Sequence, residues 1–164
     1  LFKQLSSGKT KWYMLLCYGG TGCGKTHLCQ SLALELRKQG KYTTVINWES
    51  IISILKNCMN SEAKDSYEVQ LTRYCKSERL IVDDVGMGTT GSNWEWGVFD
   101  DLINQRYTSG LLTVCTTNLD IKELPDRAVS RFRDTVNSRI VLNFASDYRP
   151  SRKTGGLRNE TKVT

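Results

Sequence analysis

Gly19-Gly20-Thr21-Gly22-Cys23-Gly24-Lys25-Thr26 matches the pattern G-x-x-x-x-G-K-[ST], and its reading decides the fold. Ahead of it lies the short apolar run Met14-Leu15-Leu16-Cys17-Tyr18, as expected of a buried strand. Behind it, Lys25 to Lys38 carries helical periodicity. Strand, loop and helix in that order make the motif a phosphate-binding loop rather than a glycine-rich turn beside an unrelated Lys-Thr pair. The glycines let the backbone approach a phosphate closely enough to wrap it with N–H groups. The helix N-terminus adds further donors and the positive end of its dipole. Lys25 supplies a charge to the β- and γ-phosphates, and the hydroxyl of Thr26 suits Mg²⁺ coordination. The residues assigned to nucleotide contact are Gly19, Gly20, Thr21, Gly22, Cys23, Gly24, Lys25, Thr26 and His27.

Working outward, 164 residues fit one domain with a sizeable core, and 39% hydrophobic with 24% charged residues is ordinary for a soluble globular chain. No apolar run approaches the roughly 20 residues of a membrane span. The chain begins at Leu1 rather than at a methionine or a signal-like apolar run, a start compatible with a fragment whose upstream part is missing. A formal net charge of +6 is concentrated at the ends. Lys3, Lys9 and Lys11 precede the first strand without an acid, and Arg149, Arg152, Lys153, Arg158 and Lys162 face only Glu160. That balance suits a polyanion such as nucleic acid, and it equally suits solvated tails.

The six cysteines include no C-x-x-C pair and the one histidine is His27, which argues against zinc and for a reducing, cytoplasmic setting. Cys23 stands apart because it lies inside the loop. If it is exposed, its oxidation or alkylation should block nucleotide binding.

Along the chain, residues 1–11 read as a basic linker or strap, 12–149 as the ordered domain and 150–164 as a basic, disordered tail. In the helix after the loop, Leu28, Leu32 and Leu36 form an apolar stripe ended by Gly40. Tyr42 to Trp48 reads as a second strand, and Glu49 to about Met59 as a helix burying Ile51, Ile52 and Leu55. A polar break over residues 60–65 precedes a helix from about Ser66 to Ser77. The third strand, Leu80-Ile81-Val82-Asp83-Asp84, is an apolar run closed by two acids, which a parallel strand delivers to the carboxyl edge of its sheet. Asp83 is placed to hold Mg²⁺ through its water shell, and Asp84 to polarise an attacking water. Gly86 to Gly97 reads as a mobile loop in which Trp94 and Trp96 either stack on bases or, the favoured reading, anchor the next helix.

That helix, about Trp94 to Ser109, buries Val98, Leu102 and Ile103. Leu111 to Thr116 is a fourth strand, with Thr117 and Asn118 at its carboxyl end. Asn118 can orient the attacking water or simply form the turn. Pro125 and Asp126 open a short helix carrying Arg127, Arg131 and Arg133, and Arg139 to Phe144 is a last strand. Alternating strands and helices imply an α/β fold with a parallel sheet covered on both faces.

Together these segments resemble a AAA+ ATPase of the replicative helicase loader family (DnaC/DnaI type), with the IstB-type transposition helper ATPases close behind. The anchors are Y-G-G-T-G-C-G-K-T-H-L, L-I-V-D-D-V-G, I-N-Q-R-Y, T-T-N-L, S-R-F at Ser130 to Phe132 and D-Y-R at Asp147 to Arg149. The resemblance implies a three-layer αβα P-loop NTPase with about five parallel strands, binding ATP or ADP with Mg²⁺. It makes Asp83 and Asp84 the Walker B acids and Asn118 the sensor I residue. Arg131 is similar to an arginine finger that reaches a neighbouring subunit's nucleotide, its alternative being a surface salt bridge. Arg149 resembles a sensor II residue.

Asp84 stands where many AAA+ proteins have Glu, so slow hydrolysis is expected. Nothing here resembles the loaders' N-terminal helicase-binding domain. The function implied is slow, assembly-dependent ATP hydrolysis while single-stranded DNA is held and a replicative helicase is loaded. The alternatives are a transposition helper on duplex DNA and a nucleotide-gated binding module with negligible turnover.

Overall fold

In the computed structural model, which describes residues 2–8, 10–59, 65–88 and 91–147, the run ahead of the phosphate loop forms strand β1 (Met14–Gly19). The remaining strands are β2 (Thr44–Asn47), β3 (Arg79–Asp83), β4 (Leu112–Thr117) and β5 (Ser138–Asn143). All pair in parallel in the order β2-β3-β4-β1-β5. The register aligns Leu15 with Val114 and Ile81 with Val114, so apolar side chains of the three central strands stack in rows.

Side-chain alternation divides the core in two. Met14, Leu16, Leu80, Val82 and Cys115 face α3 (Trp48–Asn57), α4 (Tyr67–Lys76), α5 (Asn93–Thr108) and α6 (Asp126–Phe132). Leu15, Ile81 and Val114 face α1 (Phe2–Ser7) and α2 (Lys25–Lys38). The result is the three-layer αβα arrangement expected of strands buried on both faces. Local sequence sets the helix starts: Asn47 accepts from Ser50 N–H at 2.8 Å, and Ser92 and Glu95 form a reciprocal capping box at α5.

Several expectations are corrected. Leu28 is 40% exposed, and the stripe that α2 buries is Lys25, Cys29, Leu32, Ala33 and Leu36. Gly24, with φ 89, turns the chain into the helix with Lys25 inward, which rotates Leu28 out of the core. The second strand is shorter than Tyr42 to Trp48: the Asn47 cap starts α3 at Trp48, and Tyr42, 73% exposed, lies ahead of the strand. Phe144 lies past the end of β5 and is 85% exposed. The basic stretch before β1 contains α1, whose Leu5 packs with Leu32 and Leu36. Trp94 and Trp96 both pack against the larger core cluster, Trp96 with its ring 6.2 Å from that of Phe99, as anchoring requires. Arg149 and the tail 150–164 lie outside the described residues.

Candidate nucleotide-binding site

Because β4 lies between β3 and β1, the carboxyl ends of these three strands bring the loop, the two acids and Asn118 to one edge of the sheet. Gly19 closes β1, and α2 starts at Lys25. Lys25 is 4% exposed. Its Nζ donates to the carbonyls of Gly19 and Gly20, both at 2.8 Å, to Asn118 Oδ1 at 2.6 Å and, more weakly, to Cys23 Sγ at 3.5 Å. Carbonyl and amide dipoles thus compensate a buried charge that would otherwise be costly. Asn118 commits its oxygen to Lys25, so its amide NH₂ is what it offers the site. Thr21, Thr26 and His27 are exposed, and Gly20 at the loop's start is exposed too.

Cys23 is buried, so the premise for easy modification of the loop thiol does not hold. Burial also pushes the neighbouring Cys17 thiol up to about 11, against the pull of Lys25, and raises Cys29 as well. Both thiols are neutral at physiological pH.

Asp83 ends β3 and is 9% exposed. Its Oδ1 accepts from the hydroxyl of Thr116, and no Lys or Arg forms an ion pair with it among the described residues. A buried carboxylate with a hydroxyl partner and no cationic side chain is a fitting ligand for a hard cation. Together with the Thr26 hydroxyl it would offer the oxygen donors that Mg²⁺ prefers. No group of three or more His, Cys, Asp or Glu side chains that could hold a metal ion occurs among the described residues. Asp84 follows with φ 55, the one non-glycine residue in the left-handed region among those described, and its N–H donates to Thr116 Oγ1 at 3.0 Å.

Sequence reasoning missed three residues. Thr116 bridges the two acids and gave no signal beyond its place in the T-T-N run. Asn143, ending β5, donates from Nδ2 to the Cys23 carbonyl at 2.9 Å and braces the loop from the other side. Its own carbonyl lies so near Gly19 that a Cβ there would approach within 2.4 Å. Asp147 lies against Gly22, where an added Cβ would stand 1.8 Å from its Oδ1. In the sequence it belongs to D-Y-R, a motif that gives Asp147 no role of its own.

Arg131 is not brought to the loop of its own chain. Its guanidinium stacks 5.1 Å from the Tyr107 ring and donates to Asn104 Oδ1 at 3.0 Å. Its carbonyl accepts from Ser138 Oγ, at the start of β5, so it sits toward the sheet's amino edge.

Comparison with known proteins agrees with this geometry. The chromosomal replication initiator protein DnaA of Flavobacterium psychrophilum is 28% identical over 138 residues, covering 81% of this chain and 28% of its own. This chain therefore spans less than a third of that relative's length. A structure of replication initiator DnaA bound to AMPPCP and single-stranded DNA superposes with a TM-score of 0.71 at 20% identity, covering 87% of this chain and 44% of that one. The DnaC helicase loader gives 0.71 at 21% identity, covering 87% and 85%. These likenesses establish the α/β AAA+ P-loop fold. The model of the IstB-like ATP binding proteins matches residues 8–139. Since that stretch runs from before β1 into β5 and takes in the loop, both acids and Asn118, the chain belongs to the IstB-like ATP binding protein family.

Proposed function

We propose that this domain binds ATP with Mg²⁺, hydrolyses it slowly in an assembled state, and serves as the motor of a replicative helicase loader that holds single-stranded DNA. The observation that carries the catalytic part is the Lys25–Asn118 contact, which joins the loop to the end of β4 beside the two acids. Lys25, held by two loop carbonyls, is the counter-charge for the β- and γ-phosphates. Thr26 and Asp83 are the protein oxygens for the cation, Asp83 acting through water. When bound, Mg²⁺ neutralises phosphate charge. Asp84 accepts a proton from the attacking water and the Asn118 amide orients that water. Arg131 reaches the site of a neighbouring copy, where a planar guanidinium meets charge developing on the transferred phosphoryl group. Arg149 is assigned to the chain's own nucleotide.

The loader assignment draws support from the likeness to DnaC and from the basic residues near the ends. No helix among the described residues is long and apolar enough to cross a membrane. The free cysteines suit a reducing compartment, and on that ground we place the protein in the cytoplasm. The test is phosphate release by concentrated protein with single-stranded DNA. Release no faster than that of Lys25→Ala would sink the hydrolysis assignment. A nucleotide-gated module with negligible turnover would instead make Asp84→Asn indistinguishable from the wild type.

The IstB-like family match favours a second reading, a transposition helper on duplex DNA. Anisotropy titrations with labelled single-stranded and duplex DNA, with and without ATP, separate the two. Binding through phosphates should weaken steeply with salt in either case.

A further inference from the structure

Thr116 lies fully buried on β4, the strand between β3 and β1. Its hydroxyl donates to Asp83 Oδ1 and accepts the N–H of Asp84 at 3.0 Å. A threonine hydroxyl has a single proton, so each direction is fixed: the proton serves Asp83 and a lone pair serves Asp84. Two consequences follow for the acids. With Oδ1 of Asp83 held by Thr116, Oδ2 is the oxygen turned to other partners. The backbone of Asp84, at φ 55, is tethered in a conformation that residues with a Cβ avoid. Flanking bonds hold the same junction, from Val85 N–H to the Thr116 carbonyl at 2.8 Å and from Thr117 Oγ1 to the Val85 carbonyl at 2.8 Å. The β3–β4 pairing therefore continues past the last strand residue into the turn that carries Asp84.

We propose that Thr116 is a positioning residue for both acids, its hydroxyl selecting the Asp83 oxygen offered to the metal's water shell and holding Asp84 in its turned conformation. This rests on the Mg²⁺-ATP reading above. A threonine that merely filled space would be replaceable by valine, which has the same shape and no hydroxyl, so Thr116→Val is the separating variant and Thr116→Ser the rescue.

The experiment measures affinity for a fluorescent ATP analogue with Mg²⁺ and with EDTA, phosphate release, and thermal melting of each variant. Thr116→Val should bind without metal within about twofold of wild type, yet lose about tenfold or more of the strengthening by Mg²⁺ and a similar factor in release, the usual scale for partners of a metal ligand. Thr116→Ser should restore both. If the valine variant does not fold, Thr116→Ala is read in its place. Mg²⁺ dependence and release like those of wild type in the hydroxyl-free variant overturn the proposal, as does equal loss of metal-free binding that serine fails to restore. A wild type that binds Mg²⁺-ATP but releases no phosphate removes the hydrolysis reading alone, and Thr116 is then judged on the metal arm. If Mg²⁺ does not strengthen wild-type binding, Thr116 falls together with the metal assignment.

Discussion

Lys25 Nζ donates to Asn118 Oδ1 at 2.6 Å, joining the loop after β1 to the residue after β4 across 93 positions of sequence. The contact fixes which end of the amide is available and makes the charge on residue 118 a control on the lysine. Asn118→Asp would place a carboxylate against the ammonium and draw it from the phosphates. ATP affinity should then fall about tenfold, while Asn118→Ala, which leaves both carbonyl partners, should cost affinity only a few-fold and act mainly on turnover. Titration with a fluorescent ATP analogue distinguishes them, and equal affinities for the two variants would contradict the assignment.

Asp84 follows the same logic on the acid side. If Asp84 is the general base proposed above, its replacement by Asn should leave nucleotide affinity within a few-fold and reduce the single-turnover rate of phosphate release by about a hundredfold. An unaltered rate would transfer the proton-accepting role elsewhere.

At Gly22 two costs can be separated. Its φ is 76, and an added Cβ would collide with the Asp147 carboxylate. Gly22→Ala should therefore destabilise the protein through both backbone conformation and contact. In an Asp147→Ala background only the backbone part, about 1–2 kcal/mol, should persist. Denaturant midpoints for the four proteins of the cycle give the coupling, which would be absent if the carboxylate did not rest on the loop.

Arg106 is buried and donates to the carbonyls of Tyr74, Cys75, Ser77 and Leu112 and to Thr113 Oγ1, between 2.7 and 3.1 Å. Burial lowers its pKa to about 10, so it stays charged at neutral pH and ties the end of α4 to the start of β4. Arg106→Lys keeps the charge but loses the planar fork and leaves acceptors unmet. A loss of about 3 kcal/mol or more in urea unfolding is expected. A loss below about 1 kcal/mol would mean that the carbonyls find other donors.

Asp134 gives a pH dependence of known sign. The Tyr107 hydroxyl at 2.5 Å, helped by the N–H of Val136, lowers its pKa from 3.8 to about 2. A carboxyl with a depressed folded pKa stabilises the fold above its unfolded pKa, and that contribution disappears as pH falls through the folded value. The difference in melting temperature between wild type and Asp134→Asn should be largest near neutrality and should close toward about pH 2. A constant difference would assign the effect to packing.

Much of the site was legible because its signals are local. The glycines and Lys25 lie within eight residues, and Asp83 and Asp84 end an uninterrupted apolar run, the mark of a strand buried on both faces. Adjacent features of this kind are written in one stretch of chain and survive without knowledge of what packs on them. Leu28 shows where that ends: its spacing from Leu32 and Leu36 is helical, but the phase of the helix depends on how Gly24 turns the chain against the sheet.

By itself, then, the sequence determined the alternating α/β order, the phosphate loop, the pair of acids and the candidate status of Asn118. Only the tertiary structure decided that Asn118 holds Lys25, that Thr116 spans both acids from 33 and 32 residues away, that Asn143 braces the loop across 120 residues, and that Arg131 lies toward the opposite edge of the sheet. The physical reason is that a hydrogen bond depends on distance and direction in space. Strand order and helix phase set both, and neither is a property of any short stretch of residues.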